Sequence, residues 1–179
     1  MTLFEAETAI HLPDPHTATV RPLEATDEAL YPDFLAHVSA EDRRFRFFSA
    51  AELTARQIFD FTHYDPAGAI ALVAESVPEG AILGVARLHR LSGRQSRQGE
   101  FAVLVRSDLK GQGLGRALME ELFVRAGSIG VDAIHGLVLS ENVGMLRFAQ
   151  DLGFDLTPDP DDPALVQARA KVGRLAGPG

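Results

Sequence analysis

Residues 100–126 constrain this chain more than any other stretch. Phe101, Ala102, Val103, Leu104 and Val105 form an apolar run that reads as a central strand. Glycines at 111, 113 and 115 then alternate with Gln112 and Leu114, and Leu114, Leu118 and Leu122 recur at helical spacing with Met119 beside them. A buried strand that passes through a glycine turn into an amphipathic helix implies an α/β arrangement, with the helix folded back onto a sheet. Glycine lets the main chain approach a ligand closely. A helix N-terminus offers unbonded N–H groups and a positive dipole end, which together favour phosphate. The turn therefore reads either as a polyphosphate cradle or as a helix start whose glycines only permit tight packing. Neither common nucleotide fingerprint fits. G-x-G-x-x-G fails because its sixth position is Arg116 counted from Gly111 and Leu118 counted from Gly113, and G-x-x-x-x-G-K-[ST] does not occur.

The remaining composition narrows the setting. A chain of 179 residues fits one domain and can bury a core without staples. It has no cysteine, so disulfides, thiolate zinc sites and cysteine nucleophiles are excluded. No His/Asp/Glu group has metal-ligand spacing, so no metal is expected. The net charge of −8 disfavours nucleic acid as a partner, because phosphate neutralisation needs clustered Lys and Arg. Apolar runs such as residues 68–74 fall far short of the roughly 20 residues that span a bilayer. The first residues carry no basic n-region, so the expected location is cytoplasmic, away from membranes.

Residues 1–16, broken by Pro13 and Pro15, read as a loose lead-in. A first strand is expected over 17–23, and Thr26 or Asp27 is expected to cap a helix reaching Val38. Ser39 opens a second helix bearing Arg43, Arg44, Phe45, Phe47 and Phe48, and Ser49 with Glu52 makes a capping-box pattern for a third. Strands follow over 68–77 and 81–91, joined at Pro78, Glu79 and Gly80, and a third spans 100–105. After the glycine-led helix come a strand over 131–139, a helix over 142–152, a strand from 154 and a last strand over 164–172. The expected fold class is thus α/β, or α+β with a mixed sheet, with helices on both faces. It forms a single domain over 17–172, followed by a flexible tail at 173–179.

Lys110, Gly111, Gln112, Gly113, Leu114 and Gly115 resemble the pyrophosphate loop of the GNAT superfamily of acyl-CoA N-acetyltransferases, written [QR]-x-x-G-x-[GA], with Lys110 in place of Gln or Arg. Leu139, Asn142, Met145, Phe148 and the Leu152, Gly153, Phe154 triplet resemble that superfamily's next strand and helix. The blocks around Ser39–Arg43 in sequence, Arg46 with Phe47 and Phe48, His63 with Tyr64 and Asp65, and Glu100 with Phe101 are similar to the GNAT domain of Pat-type bacterial protein lysine acetyltransferases. The resemblance covers residues 20–154.

It implies direct attack of an amine on acetyl-CoA as cosubstrate. Glu100 falls at the general-base position, and the apolar run after it suggests a half-buried carboxylate with a raised pKa. The backbone of Val103, Leu104 and Val105 would pair with the pantetheine arm. Lys110, Gly111, Gln112, Gly113, Leu114, Gly115 and Arg116 would hold the pyrophosphate, while Asn142, Met145 and Phe148 would contact the cofactor. Asn142 reads equally as a helix cap, a cofactor contact, or both. Many members carry a tyrosine acid seven residues after that asparagine, but here Ala149 stands there. The acceptor is expected to be a protein lysine. A small amine (polyamine, amino acid or drug) and a non-catalytic acyl-CoA-binding module are the alternatives. Residues 87–97 hold Arg87, His89, Arg90, Arg94 and Arg97, either a solvated hairpin or a docking rim. Asp65 and Glu75 are candidate attractors of a cationic amine, and Arg106, Lys110 and Arg116 suggest a positive mouth around the glycine turn.

Overall fold

The computed structural model describes residues 8–11, 17–92 and 96–174. Arg94, the prolines at 13 and 15, and residues 175–179 of the tail lie outside that set. The described strands form one eight-stranded sheet in the order β1-β2-β3-β4-β5-β6-β8-β7. They are β1 (Thr8–His11), β2 (Thr17–Pro22), β3 (Ala69–Val77), β4 (Ile82–Arg90), β5 (Gln98–Val105), β6 (Ala133–Leu139), β7 (Asp155–Pro158) and β8 (Leu165–Lys171). Every pairing is antiparallel except β5 with β6. That single parallel neighbour follows from the helix between them. A crossover returns the chain to the same end of the sheet, whereas tight turns such as the one at residues 78–81 reverse it. Part of the N-terminal lead-in is ordered after all: Thr8–His11 pairs along β2, where its main-chain groups find partners on an otherwise open sheet edge.

The five α-helices among the described residues divide between the two faces. On one lie α4 (Leu114–Ala126) and α5 (Val143–Asp151), and on the other α1 (Tyr31–Ala36), α2 (Ala40–Phe47) and α3 (Ala55–Thr62). Strand β3 shows why the sheet needs both layers. Ile70, Leu72 and Ala74 face the core under α4, while Ala71 and Val73 face the core under α1 and α3, and all five are buried. Leu114, Leu118, Met119 and Leu122 of α4 are fully enclosed. Truncating one such leucine to alanine costs about 2–5 kcal/mol.

Helix starts differ locally from the sequence reading. The segment after β2 begins as a 3-10 turn, Ala25–Leu30, capped by Glu24 and not by Thr26 or Asp27. Asp27 occupies the third position of that turn and accepts from the Glu24 N–H at 2.8 Å, while Arg21 draws its carboxylate inward. Ser39 caps α2 as expected, accepting from the Asp42 N–H at 3.1 Å. The box proposed at Ser49 and Glu52 is not used. Helix α3 starts five residues later, where Thr54 and Gln57 cap each other's backbone, because only from there do Ile58 and Phe61 turn toward the sheet.

Candidate active site

Strands β5 and β6 stay paired only briefly. Gln98, Glu100 and the glycine between them match residues 133–135, and then the pairing stops at Glu100 and His135. The next residue on each strand explains the parting. A Cβ on Gly136 would lie 2.6 Å from the Phe101 ring, so the ring occupies the space beside β6 that a neighbouring strand would need. Phe101 is held there by Phe154, 4.9 Å between ring centroids, which in turn packs on Phe123 at 5.9 Å. Beyond this wedge the strands splay around a cleft of about 730 Å³. Residues 102–105 of β5 line one wall and residues 136–138 of β6 the other. On the cleft side β5 has no strand partner past Glu100, so an extended ligand can pair with its main chain.

At one end of the cleft the glycine turn leads into α4. Gly111 and Gly113 have φ of +76° and +90°, values that glycine adopts without strain, and a side chain at either would meet open space. Backbone conformation, and not crowding, therefore requires them. Gly113 is the N-cap of α4 and supplies no side chain to cap it. The first N–H groups of a thirteen-residue helix thus face the cleft with the positive end of its dipole. Gly115 sits inside the first turn, where a Cβ would make ordinary contacts with Phe148 and Val105. Leu114 and Leu104 bury their side chains in the two cores, so only their backbone can serve a ligand.

The positive mouth expected here is largely neutralised. The Lys110 ammonium bonds Asp42 on α2, Arg106 pairs with Asp108 at 2.8 Å, and Arg116 reaches Glu120 at 3.3 Å. Ser107 also donates to Asp42, whose side chain is 7% exposed, and the Ser39 N–H donates to Ser107 at 2.8 Å. Burial works against the Asp42 charge. The hydrogen bonds from Lys110 and Ser107 outweigh it and hold the carboxyl below its usual value. Attraction for an anion at this end therefore rests mainly on backbone amides and the helix dipole.

Of the residues singled out from sequence, Glu100, Val103, Leu104, Val105, Lys110, Gly111, Gly113, Leu114, Gly115, Arg116, Asn142, Met145 and Phe148 all border this one cleft, and Gln112 does not. Asn142 caps α5, its side chain accepting from the Met145 N–H at 3.1 Å, and still lines the cleft. Glu100 corrects an expectation. It is exposed, because on β5 it alternates with the buried Gly99 and Phe101 and so faces the open cleft. Glu75 does not serve the cleft: it accepts from Arg21 at 2.9 Å and 3.0 Å. Ala149 is fully buried under the sheet, and among the described residues no tyrosine borders the cleft. Tyr31 lies in the opposite core and Tyr64 bonds the Leu23 carbonyl.

Of the cleft residues not marked as site residues from sequence, His89 and Arg46 bear most on the chemistry. His89 stands opposite Glu100 in the β4–β5 register. Loss of water around its ring, with Arg87 and Arg46 nearby, holds the imidazole below its usual pKa against the pull of Glu100, so it is uncharged at neutral pH. The signal available was its place on β4, since an antiparallel hairpin sets residue 89 beside residue 100 only once the turn register is known. Arg46 enters from the last turn of α2. Behind both, Arg87 is buried, donates to the Phe61 carbonyl, and lies 5.0 Å from the Phe61 ring centroid and 5.6 Å from that of Tyr64. A polar, water-accessible pocket end with a carboxylate and a neutral imidazole can accept a proton, and the far end can seat an anion.

Three comparisons bear on this geometry. The model of the Acetyltransferase (GNAT) family matches residues 32–154. The acetyltransferase PA5475 of Pseudomonas aeruginosa is 28% identical over 159 residues, spanning 87% of this chain and 84% of that protein. The GNAT domain of S. lividans PAT superposes with a TM-score of 0.84 at 26% identity, covering 92% of this chain and 96% of its own. The fold also matches yncA from Salmonella typhimurium, solved with its cofactor acetyl-CoA, with a TM-score of 0.68 at 20% identity over 90% of this chain and 98% of that one.

Proposed function

The chain belongs to the GNAT acetyltransferase family, and from that membership we propose that it moves the acetyl group of acetyl-CoA onto a primary amine by direct attack, the amine being a protein lysine side chain. The observation that carries this reading is the splay between β5 and β6, which joins an uncapped helix N-terminus to a proton-accepting end within one cleft.

The residues present fit the donor. The amides at the start of α4 suit a pyrophosphate, and the unpaired edge of β5 over residues 103–105 suits the amide-bearing pantetheine arm. Acetyl-CoA supplies an activated thioester carbonyl. Every other task falls to this chain. A lysine amine, with an ordinary pKa near 10.4, must shed a proton before it can attack. Glu100, exposed in the cleft beside neutral His89, accepts that proton directly or through water. With no cysteine in the chain, no cysteinyl acyl-enzyme can form, in keeping with direct transfer.

The acceptor assignment draws support from exposed apolar side chains of the cleft that holds Glu100. Phe48 is 52% exposed and Leu137 42% exposed, and both border the cleft. Phe48 holds a φ of 55°, a left-handed conformation unusual for an aromatic residue. Such apolar surface suits the four-carbon stem of a lysine whose amine continues inward. The resemblance of the chain's motifs to the GNAT domain of Pat-type protein lysine acetyltransferases points the same way.

Turnover of acetyl-CoA with a panel of lysine peptides, polyamines and free amino acids tests the acceptor; acetylation of small amines alone would contradict it. For the base, Glu100→Gln is expected to leave acetyl-CoA affinity unchanged and to lower kcat/KM by about 10²–10⁴. An unchanged rate in that variant would move the role to His89.

A further inference from the structure

We propose that Arg46 binds a carboxylate carried by the acceptor next to the reacting amine, so that the preferred lysines are those flanked by Asp or Glu. This rests on the acetyl-transfer reading above and adds a rule for choosing among amines.

The cleft has two ends of different character, and α2 runs along it between them. Its first turn holds Asp42, bonded to Lys110 beside the glycine turn, and its last turn holds Arg46. Four residues of helix separate the two by about 6 Å. Arg46 lines the cleft together with His89 and Glu100, and it is electrostatically coupled to Glu100. It therefore belongs to the acceptor end and not to the phosphate end.

The guanidinium there is without a counterion. Among the described residues it makes no hydrogen bond or ion pair; the Phe47 ring centroid lies 4.7 Å away, and Arg87, Tyr31 and Glu100 act on it only through space. Arg147 and Arg169, which also lack such partners among the described residues, are exposed. The other arginines near the cleft are engaged: Arg44 with Glu141, Arg106 with Asp108, Arg116 with Glu120, and Arg87 with a backbone carbonyl. Burial, and then repulsion from Arg87, pull Arg46 down to about 10, so at neutral pH it is a desolvated cation that Glu100 only partly offsets. A planar five-donor fork in that state is made for a bidentate carboxylate. The thioester end of acetyl-CoA carries no anion, so the carboxylate must arrive with the acceptor. Glu100 remains free to take the proton because it forms no hydrogen bond with Arg46.

Two sources of the carboxylate are separable. A matched set of lysine peptides with Asp or Glu beside the lysine, the same peptides with Asn or Gln there, and free amino acids would be assayed with acetyl-CoA. Wild type, Arg46→Gln and Arg46→Lys would be compared, and the acetyl-CoA melting shift would confirm that each variant is folded. The wild type is expected to favour the acidic peptides in kcat/KM by about 10- to 100-fold, mainly through KM. Arg46→Gln is expected to bring that ratio close to one, and Arg46→Lys to restore part of it. Equal use of acidic and neutral peptides by the wild type, or a preference that survives in Arg46→Gln, would overturn the proposal while leaving acetyl transfer to lysine intact. Turnover confined to free amino acids would overturn the lysine rule and the protein acceptor together.

Discussion

Asp42 shows how a single buried carboxylate joins distant parts of the chain. It receives hydrogen bonds from Lys110 and Ser107, residues 68 and 65 positions away, while its own N–H donates to Ser39 at the start of α2. Asp42→Asn is expected to lower stability at pH 7 by about 1–3 kcal/mol, since a buried acceptor and its donors lose a charge-assisted partner. The sign of the pH dependence follows from its depressed pKa. The contribution is complete above the ordinary aspartate value near 3.9 and is lost as pH falls through the lower folded value. Urea unfolding at pH 7 and pH 3 would show the gap between wild type and variant shrinking at pH 3; an equal gap at both would contradict this. Part of the arrangement was legible in the sequence. Lys110 beside the glycine turn read as a phosphate partner, but nothing local marked a carboxylate 68 residues upstream as its counterion.

At the scale of elements, the cleft depends on where two parallel strands stop pairing. Phe101 and Gly136 follow the last pair, and the ring takes the space of the missing Cβ. Gly136→Ala places a carbon 2.6 Å from a ring that Phe154 holds in place. The overpacking is expected to cost about 1–3 kcal/mol, which lowers Tm by about 2–4 °C per kcal/mol in a chain of this size. A melting curve that coincides with wild type would show that the ring moves aside freely. The strands other than β1 were readable from apolar runs and turn residues, and α4 from its leucine spacing. The caps were less so, because Ser49 with Glu52 and Thr54 with Gln57 satisfy the same local pattern. The choice between them is made by burial: α2 ends at Phe47, and the apolar face that packs on the sheet begins with Ile58. The exposed outlook of Glu100 escaped for a similar reason. An apolar run after a charge suggests burial, but strand alternation turns that one side chain to the open side.

The molecule as a whole is a mixed sheet between two helical layers, opened at its one parallel junction. Short turns make most neighbours antiparallel, and the α4 crossover makes β5 and β6 parallel, so much of the order follows from connection lengths. The insertion of β8 between β6 and β7 does not, because a register that pairs Leu139 with Leu165 and Ala133 with Lys171 leaves no local trace. The net charge of −8 is no bar to the proposed anion seat, which would rest on main-chain amides because the cations beside it are already paired. The central claim is that this cleft takes acetyl-CoA, and the direct test is thermal unfolding with and without that ligand. At about 100 times its Kd, acetyl-CoA is expected to add about 2.7 kcal/mol and so raise Tm by about 5–11 °C. An unchanged Tm at saturating acetyl-CoA would contradict the account.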